Sequence, residues 1–147
     1  MSQINFEDVL KVRPHANRID KPDGGVIIEV VRGGDSLTRR LGIVDQNNIA
    51  VIVPGGVTGN HVHQVKYEMI YIYTGELTVY LQDVETGERY SQLVREGHLF
   101  DLPPRIAHAL QNTGTGNCTL IEYANLRFRK DDGDVKRHKI IEDGRGP

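Results

Sequence analysis

Residues 59–83 read GNHVHQVKYEMIYIYTGELTVYLQD. The second half is built of Ile, Tyr, Thr, Val and Leu and is interrupted at Thr74-Gly75. Branched and aromatic side chains fit a half-buried pleated surface, and a glycine-centred break separates one strand from the next. The first half places two of the chain's six histidines one residue apart, with a glutamate five positions after the second. Residues two apart on a strand share a face, so His61 and His63 point one way and Val62 the other. If Glu68 begins the neighbouring strand after a tight connection from Gln64 to Tyr67, its carboxylate swings back towards them.

The same grammar continues outward. VIIEVV from Val26 stops at Gly33-Gly34, and NIAVIV (48–53) is closed by Pro54-Gly55-Gly56. ETGE (85–88) is a hairpin turn with RYSQLVRE as the returning strand, followed by HLFDL, a Pro103-Pro104 corner, AHALQN and CTLIEYA. About nine or ten short strands with little helix predict an all-β antiparallel sandwich or barrel, and the length suits a jelly roll. Residues 1–25 form an N-terminal arm with one short helix, in which Phe6, Val9 and Leu10 share a face, Asn5 caps and Pro14 blocks extension. Residues 26–126 form the barrel. Residues 127–147 form a charged C-terminal arm packed on the barrel or a partner subunit, with one more strand through Ile140-Ile141 and a frayed GRGP end.

Composition narrows the function classes. A chain of 147 residues with a formal charge of −2 has the size of one domain and no basic surplus pointing to nucleic acid. The single cysteine, Cys118, excludes an internal disulfide framework and reads as a small buried hydrophobe. MSQINFEDVL has no apolar signal region, and no stretch of about 18 apolar residues suggests a membrane span, so a cytoplasmic protein without a membrane partner is expected. An open sandwich edge invites pairing, and a homodimer is expected.

His108, just after the double-proline corner, joins the first group if the jelly roll brings distant strands side by side. His61, His63, Glu68 and His108 offer three imidazole nitrogens and one carboxylate, a donor set suited to a divalent transition metal: Zn, Fe, Mn, Ni or Co. Without a cation, each of these polar groups needs its own hydrogen-bond partner inside an apolar barrel. Six-coordinate geometry would leave two positions open for a substrate.

Two motifs carry a family resemblance. Gly55, His61, His63, Glu68 and Gly75 stand at the spacing of the first cupin motif, and Gly97, Pro103, His108 and Asn112 at that of the second. The chain resembles the cupin superfamily, with Arg105 where the family usually has glycine. That exchange questions the turn and puts a cation near the barrel mouth. The resemblance implies a cupin barrel, a double-stranded β-helix. GNHVHQVKYE, DLPPRIAHALQNTGTGNC and the Ala124-Asn125 pair before KDDGDV are also similar to cupin modules acting on nucleotide-linked sugars in capsular polysaccharide synthesis. Lys66, His108, Asn112 and Asn125 carry that likeness.

Several residues keep two readings. Lys66 is either a catalytic acid or base beside the metal or, more plainly, a solvated strand lysine. Tyr67, Tyr71, Tyr73 and Tyr80 read as packing residues. Only one of Glu122 and Tyr123 can face the interior. His98 reads as exposed or structural, while His15 and His138 have no evident partner. RFRKDDGDVKRHK reads as a solvated segment. The implied function is metal-dependent epimerisation or isomerisation of a small polar substrate such as a keto-sugar or sugar nucleotide, in which a Lewis acid polarises a carbonyl and the adjacent C–H is deprotonated to an enediolate. An Fe(II) dioxygenase and a non-catalytic ligand- or metal-binding module are the alternatives.

Overall fold

The computed structural model describes residues 3–34 and 43–142. A short helix α1 (Phe6–Leu10) precedes twelve strands: β1 (Arg13–Pro14), β2 (Asn17–Asp20), β3 (Val26–Glu29), β4 (Gln46–Ile52), β5 (Val57–His63), β6 (Glu68–Thr74), β7 (Glu76–Asp83), β8 (Arg89–Arg95), β9 (His98–Leu102), β10 (Ile106–Gln111), β11 (Cys118–Ala124) and β12 (Val135–Arg137). The expected helix is present, with Asn5 Oδ1 accepting from the Glu7 amide at 3.2 Å and Lys11 ending it in the left-handed region at φ 48°.

Two five-stranded antiparallel sheets face one another, in the orders β1-β9-β6-β11-β4 and β12-β5-β10-β7-β8. From β4 to β11 the chain alternates between the sheets at every connection except the β7–β8 hairpin. This is the expected jelly-roll barrel. The break at Thr74-Gly75 is therefore a crossing between sheets rather than a hairpin. Gly75 adopts φ 85°, and a Cβ there would stand 2.7 Å from the Asn117 carbonyl oxygen, so the crossing needs glycine. The connection before Glu68 is also a crossing. Glu68 starts a strand in the sheet opposite His61 and His63, not on the neighbouring strand, and meets them across the barrel.

Alternation along β6 shows how the layers fill. Ile70 and Ile72 point into the barrel and join Leu77, Val79, Leu81, Phe100, Leu110 and Leu120 in the main core. Burying each such side chain stabilises the fold by roughly 1.5–3 kcal/mol relative to exposure. Met69 and Tyr71 point outward and pack with Tyr67 and Leu99 in a second cluster, against which Ile28 and Val30 are laid. The β-branched run from Val26 pairs with β2 alone, forming a two-stranded ribbon beside the barrel.

Residues 127–133 of the charged tail are exposed, as a solvated segment would be, but Asp134 is buried and the chain then returns along the barrel. The tail's strand is Val135–Arg137, paired with β5, rather than one through Ile140-Ile141. Beyond it, the Asn60 side chain accepts from the Ile140 and Ile141 amides and donates to the Ile141 carbonyl. Ile140 is buried against Val62, Ala107 and Ala109. The GRGP end lies outside the described residues. Among the described residues, no helix is long and apolar enough to cross a membrane.

Candidate metal centre

Strand β5 carries His61 and His63 on its inner face, and β10 runs beside it with His108 directly opposite His61. The register shifts between His108 and Ala109. Gly59 (φ 91°) and Asn60 (φ 55°) supply the matching irregularity on β5. A Cβ at position 59 would meet the His108 carbonyl oxygen at 2.8 Å. The Gly-Asn before the first histidine thus makes a mid-strand bulge that aims the two imidazoles. Ring centroids lie 4.7 Å apart for His61–His63 and His61–His108, and 5.7 Å apart for His63–His108.

Glu68 completes the group from the opposite sheet. One donor atom from each of His61, His63, Glu68 and His108 lies within 4.8 Å of the others. Metal bonds of about 2.0–2.2 Å would close that spread with small side-chain adjustments. Three of the four are buried, and His61 is half-buried towards the cavity.

The hydrogen bonding supports a cation at this point. Asp134 Oδ2 lies 2.8 Å from His63 Nδ1, while its Oδ1 accepts from the amides of Gln64, Val65 and Lys66 at 3.1, 2.8 and 3.1 Å. Burial opposes charge on Asp134, but these bonds outweigh it and hold its carboxyl below the usual carboxylate range. The ionised Asp134 therefore takes the Nδ1–H of His63 and turns the Nε2 lone pair inward. That lone pair lies 2.6 Å from Glu68 Oε1, which has no aligned hydrogen-bond donor. Two acceptors this close require a positive charge between them, either a proton or a metal ion. His108 Nδ1 likewise has no partner.

Ionisation follows the same logic. Burial pushes His108 down to about 3, and the neighbouring imidazoles add to this against the pull of Glu68. His61 is lowered by burial and then by His63. Burial acts against protonating His63 too, yet Glu68 and Asp134 outweigh it and raise that ring. Desolvation opposes the Glu68 carboxylate, but His63 and His108 hold it below its ordinary value. Neutral His61 and His108 beside an ionised Glu68 are the protonation states that metal coordination uses, and a bound cation would displace the proton that Glu68 and Asp134 favour on His63.

The group lies in a cavity of about 240 Å³ whose wall includes Lys66, Glu122, Asn48 and Phe128. Lys66 is not solvated, nor is it in a strand. It is 6% exposed, in the crossing between β5 and β6, with Nζ 5.8 Å from the centre of the Phe128 ring. Arg105 is not at the mouth of this cavity. It lies exposed beside a separate surface groove with Gln64 and Lys136. It adopts the glycine-like φ of 71°, so the turn is kept at the cost of strain, and its amide donates to the His63 carbonyl at 2.8 Å.

With that geometry in place, the relationship to known proteins is direct. Residues 23–136 match the family described as the polysaccharide biosynthesis C-terminal domain. The chain belongs to that family. A curated plant relative, germin-like protein 3-3 from Oryza sativa subsp. japonica, is 32% identical over 102 residues, covering 68% of this chain and 44% of its own length. Among solved structures, the capsular polysaccharide assembling protein CapF of Staphylococcus aureus superposes with TM-score 0.61 at 23% identity, over 65% of this chain and 28% of CapF. A dTDP sugar isomerase from Desulfovibrio desulfuricans G20 superposes with TM-score 0.69 at 15% identity, over 86% of this chain and 82% of its own. These similarities establish the cupin jelly roll. The chain spans less than half the length of that plant relative.

The remaining sequence candidates separate cleanly. In this polysaccharide biosynthesis domain, Asn112 is structural: its amide donates to the carbonyls of Ile52 and Gly116, and its oxygen accepts from the Gly114 amide. Asn125 is also structural, its side-chain oxygen accepting from the Tyr67 amide at 2.9 Å. Tyr67 and Tyr71 pack outside the barrel. His98 Nδ1 accepts from the Arg95 amide, His138 Nε2 lies 2.8 Å from Gln82 Oε1, and the His15 ring stands edge-on to Tyr71. Asp134 was missed because it sits in a run of eight charges spread over 127–137, which resembles a solvated face. Its position in the Asp-rich stretch after Ala124-Asn125 was the available signal.

Proposed function

We propose that this domain is a divalent-metal-dependent epimerase or isomerase acting on a nucleotide-linked keto-sugar. The observation that carries the reading is the inward-facing His63 Nε2 held 2.6 Å from an acceptor, Glu68 Oε1, at the floor of an open cavity. His61, His63, Glu68 and His108 would hold a transition metal such as Zn, Fe, Mn, Ni or Co. When bound, such a cation supplies Lewis acidity towards a carbonyl oxygen.

The chain's own residues account for the rest. Asp134 fixes the tautomer and direction of His63. The 240 Å³ cavity is smaller than the roughly 300–1,000 Å³ of sites that enclose drug-sized ligands, so it suits the reacting sugar while the remainder lies outside the mouth. Phe128, 59% exposed above Lys66, offers an apolar face there. Lys66, as an ammonium in the wall, is placed to give a proton to the carbanionic carbon after the adjacent C–H has been broken. The sugar-nucleotide substrate class is favoured by family membership and by the dTDP sugar isomerase among the structural neighbours.

The test is solvent-hydrogen exchange. Metal-loaded protein in D₂O with a dTDP-linked 4-keto-6-deoxyhexose should replace the hydrogen next to the carbonyl with deuterium, followed by proton NMR. His63→Ala should abolish the exchange. Absence of exchange by the metal-loaded wild type across epimeric keto-sugar nucleotides would overturn the reading.

A further inference from the structure

Glu122 is the half-buried carboxyl in the cavity wall that the proposed site leaves without a role. On β11 it alternates with Tyr123, which packs outward in the aromatic cluster, so the glutamate points into the barrel and lines the cavity. Its register neighbours are Asn48 on β4 and Ile70 on β6. Asn48 Nδ2 donates to Glu122 Oε2 at 3.3 Å. Glu122 is not among the four groups whose donor atoms converge. A carboxyl group in the wall of the cavity, held by one amide, contributes little to packing. It is well placed for work on whatever enters the cavity.

We propose that Glu122 is the proton acceptor of the reaction, removing the hydrogen from the carbon adjacent to the substrate carbonyl. This rests on the epimerase or isomerase reading above. The C–H bond breaks, its electron pair becomes the new carbon–carbon π bond, and the carbonyl π pair moves onto oxygen. The proton goes to a Glu122 carboxyl oxygen. The Lys66 ammonium, reaching the cavity from the β5–β6 crossing rather than from β11, returns a proton to carbon. Glu122 then loses its proton to solvent and Lys66 regains one, so no oxidant or co-reactant is consumed. Asn48 is the positioning residue, holding one carboxyl oxygen so that the other faces the cavity.

The experiment compares wild type, Glu122→Gln and Glu122→Asp in the same D₂O exchange assay. Alongside it, Zn²⁺ or Mn²⁺ bound per chain is measured by equilibrium dialysis, and the melting temperature by circular dichroism. Expected is a loss of exchange of at least about 100-fold in Glu122→Gln and an intermediate rate in Glu122→Asp, with metal binding and melting unchanged. Exchange by Glu122→Gln within about threefold of wild type would overturn the role, as would loss of bound metal from that variant, which would make Glu122 a ligand. If Glu122→Gln does not fold, a wild-type rate in Glu122→Asp would overturn it instead. No exchange by wild type would remove the proposed function itself, a result distinct from exchange in which wild type and Glu122→Gln are equal.

Discussion

The inner face of the barrel has two unlike ends built from the same strands. On β6, Glu68 gives way to Ile70 and Ile72; on β11, Glu122 gives way to Leu120; on β10, His108 gives way to Leu110; on β4, Asn48 gives way to Ile52. One end is close-packed by the main core. The other is hollow and lined with titratable groups. The hydrophobic end supplies stability that offsets the cost of crowding imidazoles and carboxylates at the hollow end. Structure and chemistry are thus divided along each strand, not between domains.

If this division is real, damage at one end should leave the other intact. The largest effect is expected from Glu68→Gln, which should reduce bound metal to background and abolish turnover while the metal-free protein stays folded by circular dichroism. The variant loses the only carboxylate of the donor set and its pairing with His63, and metal bound as tightly as by wild type would contradict the assignment. The converse variant is Phe100→Ala in the packed end. It should cost about 3–5 kcal/mol in denaturant unfolding yet leave metal stoichiometry per folded chain unchanged.

Acid sharpens the contrast. The His108 pKa is about 3 when folded, below its unfolded value near 6.5, so the unfolded chain binds more protons between these limits. Metal-free protein should therefore lose stability on the order of a few kcal/mol as pH falls from about 6.5 to 3, and His108→Asn should flatten that part of the profile. Asp134→Asn should weaken metal affinity by about 10–100-fold, read by competition with a chelating dye, because the His63 tautomer is no longer imposed. The smallest effect is expected from Arg105→Gly. Relief of the left-handed strain should raise stability by no more than about 1 kcal/mol with metal affinity unchanged, since only its amide supports His63.

Much of the barrel was legible because strands announce themselves locally. The runs at 48–53, 89–96, 98–102 and 118–124 contain branched or aromatic residues bounded by turn residues, and each became a strand within a few residues of its expected limits. Partner choice was not legible. Nothing local distinguishes a hairpin break from the crossing at Gly75, where the requirement for glycine comes from Asn117, far along the chain. VIIEVV looked like a barrel strand for the same reason, because residue type does not reveal which strand lies alongside.

The site divides similarly. His61, His63, Glu68 and His108 could be named in advance because two-residue periodicity and motif spacing are properties of the chain itself. Lys66, Glu122 and Asp134 could not be resolved, since a charged residue's role depends on what the fold places around it. Lys66 looked solvated and is buried; Glu122 was one of two alternatives and is the inward one; Asp134 belonged to a polar tail that returns along β5. Strand character and the donor set were thus determined by sequence alone, through short-range sterics and alternation. Sheet assignment, the crossing that sets Glu68 against the histidines, and the surroundings of each charge were decided by tertiary structure, because they depend on contacts between residues far apart in the chain.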